Sequence, residues 1–184
     1  MQTELVRRAR QGDRESFSTL AAGCVDRLYG MARLILRDAT LAEDAVQEAL
    51  VRAWRDLPKL REVERFDAWI YRLLVHACAD LGRRRRRWDM QIPGLERATV
   101  ESDTTAALSD RDELERGLRR LTIPQRTILV LHYYLDLPLT EVAEILCIPY
   151  GTVTSRLHRG LEAMRRSMRV TPGATSDLAA ERPR

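Results

Sequence analysis

Apolar side chains recur along most of the chain at steps of three and four residues, the spacing that gathers them on one stripe of an α-helix. From Asp13 to Arg37 the stripe is Phe17, Leu20, Cys24, Leu28, Met31 and Ile35. Thr40 followed by Glu43 has the form of a capping box and predicts a second helix, running to about Leu57 and stopped by Pro58. Its inward positions are Ala45, Val46, Ala49, Leu50, Ala53 and Trp54, which leaves Asp44, Gln47, Glu48, Val51 and Arg55 toward the other side. A third helix is expected from near Asp67, burying Trp69, Ile70, Leu73, Leu74, Ala77 and Leu81, with the five arginines Arg83 to Arg87 just beyond.

From Asp89 to Ser109 the period is lost, and Pro93, Gly94, Ser102 and several threonines enter. This stretch is longer than the ~4 to 6 residues that usually join packed elements, so it reads as a linker between domains. The helical period resumes at Asp110 with Leu114, Leu118 and Leu121. Thr122 and Pro124 then look like the cap and first-turn proline of a helix, "QRTILVLHYYL", that is apolar around most of its circumference and therefore central. Two shorter helices follow, at about Thr140 to Leu146 and Gly151 to Met168. No segment alternates like a strand. The pattern predicts an all-α chain of two small helical domains, 1–88 and 110–170, joined by a flexible linker at 89–109 and ending in a disordered tail at 171–184.

Charge sharpens that division. The chain of 184 residues carries a net +4, but residues 1–88 carry +5, residues 89–109 carry −3 and residues 110–170 carry +2. Two basic blocks around an acidic strip point to two units facing nucleic acid. Lys59 is the sole lysine, an arginine bias that suits bidentate phosphate contacts. Cys24, Cys78 and Cys147 form no CxxC pair, and His76 with Cys78 would give a metal only two ligands, so no metal, cofactor or disulfide framework is expected. No apolar run reaches the ~20 residues needed to span a bilayer, and the N-terminus lacks the apolar stretch of a signal peptide, so a cytoplasmic protein without membrane insertion is expected.

The most informative stretch is "LTEVAEILCIPYGTVTSRLHRG". Val142, Leu146, Ile148, Val153 and Leu157 can form one small core between crossed helices, with Ala143 small enough for close approach, as in a helix-turn-helix. Beyond the turn, Val153, Leu157, Leu161 and Met164 share one side, so Ser155 and Arg159 face away. Tyr150, Thr152, Ser155, Arg156 and Arg159 are the candidates for base edges and phosphates. An ordinary helical hairpin with a solvated polar face is the plainer alternative.

Three blocks in order then resemble a bacterial RNA polymerase sigma factor of the extracytoplasmic-function (ECF) branch of the sigma-70 family. "AEDAVQEALVRAW" resembles its polymerase-binding helix, "RFDAWIYRLLVHACADLGRRRR" its minus-ten helix, and "IPQRTILVLHYYLDLPLTEVAEILCIPYGTVTSRLHRG" its minus-thirty-five reader. The resemblance implies that Asp44, Gln47, Glu48, Val51 and Arg52 meet the clamp helices of the polymerase's largest subunit; the residues alone favour a solvated face. It implies a minus-ten surface of Lys59, Arg61 and Arg65 in the loop, Tyr71, Arg72 and His76 on the helix, and Arg83, Arg84 and Arg87 on phosphates. Trp69 shares the face of Leu73 and Ala77 and reads as core, while Asp80 can orient neighbouring arginines. Contact with the flap region of the second-largest subunit, promoter DNA and an anti-sigma factor are the further implied partners. Glu96, Glu101 and Asp103 in the linker could imitate nucleic-acid charge or serve only to keep it hydrated.

Three residues depart from the family pattern. His76 stands where asparagine is usual, Thr154 where lysine is frequent, and Cys147 where a turn glycine is common, which predicts a turn without left-handed backbone. Against the sigma-factor reading stand a conventional helix-turn-helix regulator and an enzyme. A regulator would not need the 42–54 block or the basic helix after it. A nuclease would need converging carboxylates, whereas Asp110, Asp112, Glu113 and Glu115 form only an acidic helix start, and no catalytic residue is assigned.

Overall fold

The computed structural model describes residues 1–91 and 117–167, and every regular element among them is helical. The expectations for the linker beyond residue 91, for Asp110 and Leu114, and for the tail fall outside the described residues.

The chain opens with α1 (Gln2–Arg10), a helix with no clear stripe in the sequence because only Val6 and Ala9 are buried along it. Asp13 caps α2 (Arg14–Leu36): its Oδ1 accepts from the backbone NH of Glu15 at 3.1 Å and of Ser16 at 3.4 Å. Leu20, Cys24, Leu28, Met31 and Ile35 of the predicted stripe are buried, with Phe17 at its half-buried edge. The cap of α3 (Ala39–Asp56) is Asp38, not Thr40, with Oδ1 accepting from Leu41 NH at 3.0 Å. A carboxylate competes well for that place because the helix N-terminus is the positive end of its dipole. α3 buries Ala42, Ala45, Val46, Ala49 and Ala53, and this small-residue face lets α2 and α4 approach it closely.

Two short 3-10 turns (Leu57–Lys59 and Val63–Arg65) lead into α4 (Phe66–Gln91). The arginine run lies within α4 and not beyond its end, so helix continues past the predicted boundary at residue 88. On the C-terminal side, the Gln125 side chain accepts from Thr122 NH at 2.9 Å and starts α5 (Ile123–Leu129). The single helix predicted there continues in direction and hand, but its bonding step widens from four residues to five. Val130–Tyr134 form a π-type turn, with Leu135 NH reaching Val130 O at 3.2 Å. α6 (Leu139–Leu146) and α7 (Tyr150–Ser167) complete the chain.

The turn between α6 and α7 departs from its prediction. Cys147 is left-handed, at φ 52° and ψ 43°, because Ile148 NH closes on Ala143 O at 3.2 Å and Cys147 NH on Glu144 O at 3.3 Å. That bonding requires the residue after the helix to turn left-handed, whatever its side chain. A non-glycine residue there costs about 1–2 kcal/mol, partly balanced by the extra unfolded-state freedom of glycine. Cys147→Gly is therefore expected to stabilise the chain by about 0.5–1 kcal/mol, read as a raised midpoint in urea unfolding; a lowered midpoint would contradict this account of the turn.

The core does not divide at the linker. Buried residues of α1–α4 and of α5–α7 join in one apolar cluster, with Leu118, Leu121 and Leu129 forming a smaller one beside it. Arg126 bolts the two parts together: Nε donates to Ile35 O at 2.6 Å, and Nη1 donates to Leu118 O and Leu121 O, both at 3.1 Å. Burial, with Arg37 and Arg86 nearby, pushes this guanidinium down to about 10, so it still carries its charge at neutral pH.

Candidate functional site

Three exposed surfaces carry the chemistry. On α3, Asp44, Gln47, Glu48 and Val51 point outward, and Val51 is 57% exposed. These residues stand between two depressions. One is an apolar groove of about 640 Å³ against α2, lined by Phe17, Val25, Tyr29, Leu50, Val51 and Trp54, with Asp26, Glu43 and Gln47 also bordering it. Trp54, expected to face inward, lies in this groove 37% exposed, its ring centroid 5.0 Å from that of Phe17. It follows Ala53 by one residue, and only Ala53 fits beneath the packed helices. The other depression, against α4, is polar and about 370 Å³, lined by Asp44, Gln47, Glu48, Arg52, Asp80 and Arg84 among others. Arg52 fixes its floor, donating to Glu48 Oε1 at 2.7 Å and Asp80 Oδ2 at 3.3 Å. Burial alone would lower this guanidinium's pKa, but the two carboxylates raise it.

The second surface runs along α4. At 3.6 residues per turn Arg72, His76, Arg83 and Arg87 fall within one narrow sector, a basic face. Arg84 does not belong to it and instead borders the polar depression on α3. Arg83 pairs with Asp80, which thus orients an arginine as anticipated. Arg85 donates to Asp38 Oδ2 at 3.0 Å, tying the arginine run to the cap of α3. Tyr71 is a correction: it is only 5% exposed and its hydroxyl accepts from Arg27 Nη1 at 2.8 Å. Its neighbours at the same helical phase, Leu74, Val75 and Cys78, are core, so its ring is not available to a base. Trp69, which sequence periodicity had placed in the core, packs against the core with only part of its ring. It is half-buried and lines a cleft of about 180 Å³ with Arg61, Arg65 and Arg72. Exposed Lys59 donates to Asp56 Oδ1 at 2.7 Å; the hydrogen bond from Arg55 and then that from Lys59 hold the Asp56 carboxyl down at about 2. The far wall of the cleft is Glu141, Glu144 and Ile145 of α6.

The third surface is α7. Val142, Ile145 and Val153 are fully buried at its crossing with α6, and Leu146, Ile148 and Leu157 half-buried around them. Ile145 was not among the predicted core residues; it faces α4. Tyr150, Ser155 and Arg159 are exposed, and Thr152 and Arg156 half-buried. In this state Arg159 is folded along its own helix, Nε donating to Ser155 O at 3.1 Å and Nη2 to Ser155 Oγ at 3.3 Å. Reading a base would exchange these intrahelical bonds for bonds to DNA.

Among the described residues no three His, Cys, Asp or Glu side chains converge, and no helix is long and apolar enough to cross a membrane. Burial pushes the Cys78 thiol up to about 12, which makes it a packing group.

Comparison with known proteins gives these surfaces a context. Residues 20–88 match the family described as Sigma-70 region 2, and residues 111–164 match Sigma-70, region 4. The chain is 29% identical over 177 residues to the ECF RNA polymerase sigma factor SigW of Bacillus subtilis, covering 89% of this chain and 95% of that one. It is 32% identical over 148 residues to the ECF RNA polymerase sigma factor SigM of Mycobacterium tuberculosis, covering 80% of this chain and 74% of that one. Among solved structures, the sigma factor RpoE of Bartonella quintana, in complex with the anti-sigma factor NepR, has the same fold: TM-score 0.71 at 22% identity, covering 85% of this chain and 98% of that one. CnrH, in complex with the cytosolic domain of CnrY, matches with a TM-score of 0.64 at 24% identity, over 89% of this chain and 94% of that one.

Proposed function

Because the chain belongs to the extracytoplasmic-function sigma factors of the sigma-70 family, in which members direct promoter-specific initiation by RNA polymerase, we propose how its surfaces divide that work. Residues 1–88 bind core polymerase and the minus-ten element, 89–109 form the linker, and 110–170 read the minus-thirty-five element. The observation that carries this division is the separation of the three surfaces: α3, α4 and α7 each expose a chemically distinct face.

The α3 surface suits a protein partner. Asp44, Gln47 and Glu48 offer hydrogen bonds around exposed Val51 and an apolar groove, the mixture of dry centre and polar rim that a specific protein interface needs. Its assigned partner is the clamp-helix region of the largest subunit, and the flap of the second-largest subunit takes the C-terminal domain. An anti-sigma factor is the expected competitor for such surfaces, since both structural relatives were solved in complex with a partner.

The α4 surface suits single-stranded DNA. Arg61, Arg65, Arg72, His76, Arg83 and Arg87 supply phosphate contacts, and half-buried Trp69 a ring edge beside them. Holding an unstacked base takes such a combination, because extrusion costs a few kcal/mol. α7 suits duplex DNA, with Arg156 and Arg159 on guanine or phosphate and Tyr150, Thr152 and Ser155 fixing the helix in the groove. No step in this work requires bond-making by the chain, and its place is the cytoplasm, with the polymerase and the promoter.

Arg159→Ala is expected to weaken binding to an upstream promoter duplex by about tenfold, as loss of one good base contact does. If phosphate is part of the contact, the slope of log affinity against log salt falls by about one. Electrophoretic mobility shifts across a salt series measure both. Unchanged affinity and slope would remove Arg159 from the interface.

A further inference from the structure

The resemblance places Arg52 among the side chains that meet the polymerase, but its guanidinium is already engaged on two sides. Nε donates to Glu48 Oε1 at 2.7 Å, one turn back on α3, and Nη2 donates to Asp80 Oδ2 at 3.3 Å on α4. The Arg52 side chain is only 22% exposed, whereas Glu48 stands in the open. Fully buried Ala49 and Ala53 let α4 approach α3 closely enough for this reach. Asp80 is divided in turn. While Oδ2 accepts from Arg52, Oδ1 pairs with Arg83, an exposed side chain on the basic face of α4.

From this arrangement we infer that Arg52 is a positioning residue serving two surfaces at once: it fixes Glu48 for the protein partner and moderates the hold of Asp80 on Arg83 for the strand. It touches neither ligand. The inference rests on reading α3 as the polymerase face and α4 as the strand face.

Toward the polymerase the effect is preorganisation. The bond from Arg52 holds Glu48 by Oε1, while Oε2 has no hydrogen bond among the described residues and stays open to a donor from outside. Ordering one rotamer-rich side chain before binding is worth about two- to tenfold in affinity. Toward the strand the effect is electrostatic. A carboxylate shared by two guanidinium groups grips each less firmly than a carboxylate with one, so Arg52 lowers the cost of moving Arg83 from Asp80 to a phosphate. Without Arg52 the whole charge of Asp80 falls on Arg83 and on any phosphate that approaches it. Arginine suits the position because its rigid fork spans two carboxylates on different helices, whereas the ammonium of lysine is a single point of charge.

Arg52→Met keeps an apolar stem and removes the donors. With the full chain, titration against core polymerase reads the first effect. Anisotropy of a random single-stranded 15-mer, with core saturating and core alone as the blank, reads the second. Circular dichroism and a thermal melt confirm that each variant is folded at the assay temperature. Arg52→Met is expected to lose about fivefold in each affinity. These losses should not add to those of the residues through which Arg52 acts. Glu48→Ala with Arg52→Met should bind core as Glu48→Ala does, and Arg83→Ala with Arg52→Met should bind the strand as Arg83→Ala does. Asp80→Asn should restore strand affinity to the Arg52→Met chain and leave its core affinity low, a split that general loosening of α3 against α4 does not produce. Unchanged affinities in Arg52→Met, additive losses in either cycle, or a rescue that reaches both affinities or neither would each overturn the inference. Should Glu48→Ala leave core binding unchanged, or Arg83→Ala leave strand binding unchanged, the corresponding surface reading has failed and the inference falls with it.

Discussion

With Val51 replaced by aspartate, the chain is expected to keep its stability and lose its hold on core polymerase. Val51 is 57% exposed in the apolar groove of α3, so in the free protein the new charge meets water, and a surface change of this kind moves stability by only about 0.5 kcal/mol. In a complex the same position would be covered. An unpaired charge buried at a dry interface costs several kcal/mol, which lowers affinity by about a hundredfold or more. Alanine at both Gln47 and Glu48 should act in the same direction with less force, because it removes hydrogen bonds without burying a charge. Titration of labelled protein with core polymerase, beside a thermal melt, separates the two effects. A Val51→Asp chain that binds core normally would remove this face from the interface, and one that melts early would show that Val51 serves the fold.

The second large effect concerns the C-terminal domain. Leu131 is fully buried in the π-type turn, and its carbonyl accepts from Leu137 NH at 3.2 Å. Leu131→Ala leaves a cavity at the junction of α5, α6 and the core shared with α2, and a loss of about 2–5 kcal/mol is expected. At roughly 2–4 °C per kcal/mol for a chain of this size, the melting midpoint should fall by about 5–15 °C. Tyr133, 61% exposed in the same turn, is the control: its alanine variant should leave the midpoint within about 2 °C. Equal effects at the two positions would contradict the burial pattern of the turn.

Regular stripes were legible in the sequence, and so were the positions that stripes leave outside. α2 could be read because its buried residues recur over several turns, and Asp44, Gln47, Glu48 and Val51 are exposed where that logic placed them. α1 could not, since two buried residues in nine make no period. Asp38 was overlooked as a cap because Thr40 with Glu43 also satisfies the local rule, and only the chain's actual entry into α3 decides between them. Tyr71 and Trp69 show the limit of counting along one helix. Tyr71 shares the phase of buried Leu74, Val75 and Cys78 and is covered beside Arg27 and α2, whereas Trp69 lies at the edge of that arc, half-buried against α6. The left-handed Cys147 and the π-type turn are likewise fixed by backbone bonds that favour no side chain over another.

The junction between the domains was the least legible feature. Its acceptors are the carbonyls of Ile35, Glu144 and Ile145, and a carbonyl leaves no mark in a sequence. Family order explains why two helical units are present, but it does not say that they share one apolar cluster. The arginine run illustrates both halves of this lesson. Its basic character was plain, yet only the helix through Gln91 distributes it, with Arg83 and Arg87 on the face shared with Arg72 and His76, Arg84 turned toward α3 and Arg85 engaged with Asp38.

Run-off transcription with purified core polymerase on a genomic promoter library tests the central claim most directly. With this protein added, transcripts should begin at a defined subset of promoters that core alone does not use, and the Val51→Asp chain should give none of them. Core polymerase that starts at the same sites with and without the protein would contradict its role as a promoter-specificity subunit.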